Sequence, residues 1–403
     1  MSYLAVQAVR TASTAEWDWL PLKRLARLRR HRNVGREAPL LSVSAERGVE
    51  RRPPEGGRQL PSDDTIADYW IVKPGDLVFN PMWAIGGGVA SSALHGAVSP
   101  AYRVYKPTDR LVPRFLHYWL RSSAAIRQYE LLTRGDTTFD RSVTREDFEG
   151  MPVPVPPVEE QRQIVDLLDA ETARIEALIE KKRRMVDLLE VRWARTVRAR
   201  LGELAPVMPL KRRWRVIDCK HRTPSYVDDG YPVVSPGDIS PGRIYLSRCE
   251  RFVNETDFID LTEGRRPKRG DIIYSRNASA GIAAHVDTDD AFCMGQDVCL
   301  ITSNYQDQRF LAYALNSVGA DQLEPLKIGS TITRINVDQI GELRVPVPTP
   351  EVQKDIADAL DAARALIDCT RETLGRQLEL LREHRAALIS AAVTGFDVAK
   401  AAA

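Results

Sequence analysis

The chain has 403 residues, 43% of them hydrophobic, which is enough for two or more cored domains and far from the composition of a disordered polypeptide. Its 57 Lys and Arg nearly balance 55 Asp and Glu for a net charge of +2, so an electropositive surface can arise only by local clustering. The five cysteines form no CxxC pair and read as reduced thiols, and no stretch approaches the ~18 apolar residues of a membrane span or resembles a leader. A cytoplasmic protein without membrane contact is expected.

From the N-terminus, Lys23, Arg24, Arg27, Arg29, Arg30, Arg32 and Arg36 form a basic cluster with no acid among them. It is either a solvated helix face or a phosphate-contacting surface. DYWIVKPGDLVFN, ending at Asn80, is strand-like around a Gly-Asp turn, AYRVYKP is a further strand, and RFLHYWLRSSAAIRQYE reads as an amphipathic helix. The polar, basic loop Arg134–Arg141 follows. Pro152, Pro154, Pro156 and Pro157 then force extended backbone, and Glu159 sits where a helix N-terminus favours negative charge. A long helix to about Glu203 is predicted.

The order then repeats. KRGDIIYSRN, DVCLITS and RFLAYALNSVGADQLE answer the strands and helix of the first half, a second polar loop spans Lys327–Asn336, and Pro346, Pro348 and Pro350 open a second long helix to about Thr394. The repeat is sharpest at the helix entries: PVPPVEEQRQIVDLLD from Pro154 matches PVPTPEVQKDIADALD from Pro346 at nine of sixteen positions, offset by 192. In the second helix Leu360, Ile367, Leu374, Leu381 and Leu388 fall at strict sevens with Ile356 beside them. In the first, Leu168, Ile175 and Leu189 do so, with Ile164, Leu178 and Met185 as companions. Such stripes need a partner, and at ~25 cal/mol per Å² of buried apolar surface the economical one is the other helix, packed antiparallel. The predicted architecture is therefore α+β: two pseudo-twofold-related mixed domains, 1–155 and 205–348, separated by two long helices, 156–204 and 349–397, packed as an antiparallel coiled coil.

A molecule with twofold pseudo-symmetry suits a ligand with two-ended symmetry, and duplex DNA is one. Candidate contacts lie in the divergent loops: Arg134, Thr137, Thr138 and Arg141; Lys327, Thr331, Thr333, Arg334 and Asn336; His221, Arg222 and Thr223; and Arg276 with Asn277. Arg can grip guanine, Asn adenine, and Thr a phosphate or a thymine methyl. Each loop is equally readable as a surface turn. Asn80-Pro81-Met82-Trp83 approximates the Asn-Pro-Pro-aromatic turn with which amino-methyltransferases hold a flipped base, but no glycine-rich cofactor turn precedes it. There is no phosphate loop, no HExxH and no zinc spacing, so no catalytic residue and no metal site is assigned. A binder is expected, with an autonomous DNA adenine methyltransferase and a coiled-coil protein scaffold as the alternatives.

The duplicated proline-led helix entries, the closing Ala391-Ala392-Val393-Thr394-Gly395 and the CKHRTPSYVDDGYPVVSPGDIS opening of the second half resemble the specificity subunit of type I restriction-modification systems. The resemblance spans nearly the whole chain. It implies a noncatalytic subunit whose two target recognition domains each read one half of a split, asymmetric DNA sequence while the helices act as a ruler. It also implies partners: two methyltransferase subunits, which bind S-adenosylmethionine, and restriction subunits that use ATP and Mg, with no cofactor in this chain. The first helix departs from the pattern by ending Arg198-Ala199-Arg200-Leu201.

Overall fold

The structure, a computed structural model, describes residues 17–44, 47–52, 63–133, 142–277, 279–323, 327–328, 331–332 and 334–395. It divides into two compact units. One runs to Lys182 and takes in the chain from Gly375 onward, and the other is Arg183–Leu374. The fold is α+β, and both long helices stand where the proline runs and sevens place them, at Val158–Leu201 and Pro350–Thr394. Each unit therefore owns the start of one long helix and the end of the other.

The same antiparallel four-stranded sheet is built twice. In the first unit its order is Ala26–Arg29, Arg103–Pro107, Leu77–Phe79, Val89–Ser91; in the second it is Arg215–Asp218, Val298–Thr302, Ile272–Ser275, Ala283–His285. A shared device starts the third strand of each. Gly75 and Gly270 take positive φ (88° and 94°), and the next residue, Asp76 or Asp271, accepts a hydrogen bond from the backbone N–H of Lys73 or Lys268 (2.8 and 2.9 Å). That is why Lys-x-Gly-Asp recurs. A second recurrence, Pro-Leu-Lys-Arg at Pro21–Arg24 and Pro209–Arg212, forms matching 3₁₀ turns that bury Leu22 and Leu210. The strand before each turn pairs with the proline-rich strand that leads into a long helix, Asp18–Pro21 with Pro152–Val155 and Val207–Pro209 with Arg344–Pro346. The remaining strands differ. In the second unit they include one parallel pair, Tyr231–Val234 with Cys293–Met294, whereas in the first they are the hairpin Leu41–Ser44 with Gly48–Arg51 and the antiparallel pair Trp70–Val72 with Gly96–Val98.

In each unit the long helix is fastened to a shorter helix and its leading turn by the same side chains. Gln161, fully buried, accepts from Val112 N–H (2.8 Å) and donates to the carbonyls of Arg110 (2.9 Å) and Pro156 (2.8 Å). Gln353, also fully buried, accepts from Asp307 N–H (3.1 Å) and donates to the Pro348 carbonyl (2.9 Å) and to Gln306 Oε1 (2.6 Å). One helical turn pair further on, Tyr118 and Arg114 engage Asp169, and Tyr313 and Arg309 engage Asp361. The 192-residue repeat is thus the record of one docking arrangement used twice. The helix carrying Tyr118 is shorter than the sequence suggests: Pro113–Leu120 ends and Ser123–Leu132 begins anew, because the Ser122 hydroxyl caps the new helix through Ala125 N–H (3.3 Å).

Within each unit the two long helices run antiparallel. In the first, Lys182 reaches Gln377 and Glu176 pairs with Arg385; in the second, Glu190 pairs with Arg371 and Arg364. Leu168, Ile175, Leu360, Ile367, Leu374 and Leu388 are buried, and Leu189, Ile356 and Leu381 half-buried. The companion track of the first helix differs from expectation by one residue. It is Val165, Thr172, Ile179, Val186 and Trp193, each four residues beyond a heptad position, whereas Leu178 is 41% and Met185 50% exposed. Ile164 is only half-buried, against the core of the first unit. Polar Thr172 on the true track had obscured it.

Candidate nucleic-acid interface

In each sheet the first and third strands end, and the second and fourth begin, at one common edge. For the first unit this follows from the pairs Phe79 with Val89, Phe79 with Arg103, and Arg29 with Val104. For the second it follows from Tyr274 with Ala283, Ser275 with Val298, and Asp218 with Cys299. In the second unit His221–Thr223 and Arg276–Asn277 leave from that edge, and in both units a later segment is tied to it. The tie is a single backbone bond in each unit: Val143 N–H to the Pro81 carbonyl (3.1 Å) and Ile335 N–H to the Arg276 carbonyl (2.9 Å). Val143 stands just beyond the first polar segment and Ile335 near the end of the second, so in each unit the chain returns there beside the turn that follows the third strand.

In the second unit this edge carries a dense polar set. Arg276 is 3% exposed; its guanidinium pairs with Asp218 and donates through Nε to the Ile335 carbonyl (3.3 Å). Expected among the ligand-contacting side chains, Arg276 is instead an internal brace, because it reaches across the end of the Val298–Thr302 strand to Asp218 on the edge strand, a pairing that sequence distance hides. Around it, His221 Nε2 lies 3.1 Å from Asp218, Asn277 donates to Asp297 (3.1 Å), and Thr223 accepts from Gln296 (2.9 Å). Arg222 pairs with Asp257 and Asp260 on the helix Glu255–Thr262, and Lys220 with Asp260, whose acidity that lysine hydrogen bond increases. His221, Arg222, Thr223, Gln296 and Arg334 are exposed, and Arg334 bridges to Asn277 through the backbone. Gln296 and Asp297 were not singled out from the sequence; their signal is their place between Cys293–Met294 and the Val298 strand.

Asp218, Cys219 and His221 offer donor atoms within 4.8 Å of one another. Their hydrogen bonding does not suit a cation. Arg276 already engages Asp218, Cys219 Sγ donates to the Gln296 carbonyl (3.2 Å), and burial first, then Asp218, pushes the thiol up to about 11, so it stays protonated near neutrality.

Asn336 holds the N-cap position of the helix Val337–Glu342, its N–H bonded to Gln339 Oε1 (2.9 Å), as Thr144 caps Arg145–Gly150 in the first unit. It serves the same local end as Thr144. Lys327 and Thr331 lie on the antiparallel pair Lys327–Ile328 and Thr331–Ile332. Arg134, Thr137, Thr138, Arg141 and Thr333 lie outside the described residues.

In the first unit the edge is built from the turn Asn80–Gly88 and the basic segment. That segment is not helical: Lys23 and Arg24 lie in the 3₁₀ turn, and Arg27 and Arg29 on the edge strand. Arg29 pairs with Asp76 (3.0 Å) and Arg32 with Asp68 (2.7 Å), while Lys23, Arg24, Arg27, Arg30, Arg32 and Arg36 are exposed. Burial outweighs the Lys73 N–H and Arg29 and raises the pKa of the Asp76 carboxyl above its ordinary value. In the turn, Asn80 Oδ1 accepts from Met82 N–H (3.1 Å) and the Pro81 carbonyl from Val143. Each of these two oxygens therefore already holds one donor from within the chain.

Residues 199–380 match the family model described as type I restriction modification DNA specificity domain. Two solved structures extend the likeness. A chain from the type I R-M system, in work on its complex assembly and conformational transition, superposes with a TM-score of 0.75 at 17% identity, covering 94% of this chain and 98% of that one. The HsdS subunit from Thermoanaerobacter tengcongensis gives a TM-score of 0.52 at 17% identity over 94% and 97%. At such identities it is the fold that is shared, and it is shared over both halves. No helix among the described residues is long and apolar enough to cross a membrane.

Proposed function

We propose that this chain, whose residues 199–380 match the model of the type I restriction modification DNA specificity domain, is the noncatalytic specificity subunit of a type I restriction-modification complex. Each unit would read one half of a split duplex DNA target, and the long helices, 44 and 45 residues or roughly 66 Å each, would set the spacing between the halves. One observation carries the reading. A single scaffold, identical in sheet order, Asp turn and helix docking, presents two unlike sets of polar loops from the same sheet edge. That is the arrangement for discriminating two different short sequences with one fold.

The chemistry would belong to partners: methyltransferase subunits binding S-adenosylmethionine, and restriction subunits using ATP and Mg. Leu167, Leu188 and Leu366, 45%, 63% and 67% exposed on the long helices, offer apolar contacts for such docking. The decisive experiment assembles the chain with type I methyltransferase subunits and maps the methylated adenines. Exchanging residues 1–155 for those of another specificity subunit should change one half of the target and leave the other intact. A target altered in both halves, or in neither, would refute the modular reading.

A further inference from the structure

The tip of the Asn80–Gly88 turn holds the two largest exposed apolar side chains of the first unit's sheet edge, Met82 (59% exposed) and Trp83 (57%). They do not hang on a loose loop. Trp83 N–H donates to the Asn80 carbonyl (3.1 Å), Gly88 N–H to the Trp83 carbonyl (2.8 Å), Asn80 N–H to the Gly88 carbonyl (2.6 Å), and Arg121 clamps the Gly87 carbonyl (2.9 Å). The glycines are fitted to the indole: a Cβ on Gly86 would stand 2.3 Å from Trp83 Nε1, and one on Gly88 2.6 Å from the Trp83 carbonyl oxygen. Ala84, next in sequence, is buried and fixes the base of the turn in the core. So the scaffold immobilises an aromatic ring and a thioether without covering them. The matching turn of the second unit does the reverse. It buries Arg276 at the position of Pro81 and follows it with the polar Asn277 where the first unit has Met82.

Rigid mounting removes the ordering entropy that a flexible contact must lose on binding, and exposure leaves the ring face open for stacking. The same edge carries exposed Arg30 directly after the edge strand, and Val143 N–H donates to the Pro81 carbonyl at the base of the tip. An exposed aromatic side chain on an edge that also carries an exposed guanidinium is complementary to a base step flanked by phosphates. We infer that Met82 and Trp83 press against a base step of the half-site read by the first unit, making Trp83 a specificity-determining residue of that half alone. This rests on the DNA-reading function proposed above.

The test selects sequences from a pool of random duplexes with the full chain at low salt, then compares Trp83→Ala and Trp83→Phe with the parent. Thermal melting confirms that the variants fold. Trp83→Ala should weaken binding to the selected duplex by about 5- to 100-fold and relax the preference in one half only, while Trp83→Phe stays within about threefold. A 2-aminopurine placed along that half should brighten on binding at one step, and the signal should vanish in Trp83→Ala. If the parent selects a sequence and Trp83→Ala selects the same one with equal affinity, or loses affinity equally for every sequence, the stacking role is overturned while DNA reading stands. If the parent selects nothing, the DNA-reading function itself fails and the role of Trp83 with it.

Discussion

Replacing Gln161 with Ala should loosen the first unit by about 3 kcal/mol and leave the second unit untouched. The side chain is fully buried and makes three hydrogen bonds, to Val112 N–H and to the carbonyls of Arg110 and Pro156. Each is worth about 1 kcal/mol net, and a donor left buried and unpaired loses about 1–3 kcal/mol, so ~3 kcal/mol is the expected sum and roughly 2 the floor. Gln353→Ala removes an equivalent set from the second unit and serves as the internal control. Because the two units need not unfold together, native-state hydrogen exchange is the right measurement, read at amides on either side of each lock. Gln161→Ala should speed exchange about 100-fold in 110–132 and hardly at all in 306–319; Gln353→Ala should do the opposite. Changes below about 0.5 kcal/mol, or equal changes in both units, would show that these glutamines are not what fastens each long helix to its shorter neighbour.

Ile179→Ala should destabilise the first unit by about 2–4 kcal/mol and Leu178→Ala by under about 1, since the former is 3% and the latter 41% exposed; comparable melting shifts would restore the track expected from sequence. His117 is held neutral, its pKa pushed down to about 3 by burial, then by Arg121, Arg114 and Arg385, so the unfolded chain takes up the proton first as pH falls. Stability of the first unit should be complete above about pH 6.5 and decline between there and about 3, and urea titrations of His117→Gln should show a flatter decline. Arg276→Ala should lower the stability of the second unit by about 2 kcal/mol, because Asp218 loses its partner but remains partly hydrated, whereas Arg334→Ala should leave melting unchanged and weaken DNA retention. Equal melting shifts for the two would remove the distinction between brace and contact.

The parts legible in the sequence are those set by local physics. Proline runs, heptad leucines and the Lys-x-Gly-Asp turn identify the long helices and the third strand of each sheet, because each imposes its geometry within a few residues. Adjacent apolar pairs defeat the same reasoning. Ile164 and Val165, or Leu178 and Ile179, fit a helical stripe equally well, and only the packed neighbours decide which of each pair turns inward. At the candidate interface the difficulty is one of distance along the chain. Arg276 and Arg334 look alike as loop arginines, but one meets Asp218, nearly sixty residues earlier, and becomes part of the interior. Asn336 looks like a base reader until the helix it caps is seen to match the one capped by Thr144.

Leu388, Ala392 and Val393 share the first unit's core with Leu168, Ile175 and Trp119. A ribosome making this chain must therefore finish the whole second unit before it delivers the side chains that close the first. The usual order, in which the N-terminal domain matures while the rest is still being synthesised, is unavailable. A message cut short anywhere before the final helix would yield a protein whose opening half stays greasy and open to proteases, so the topology itself screens out truncated copies.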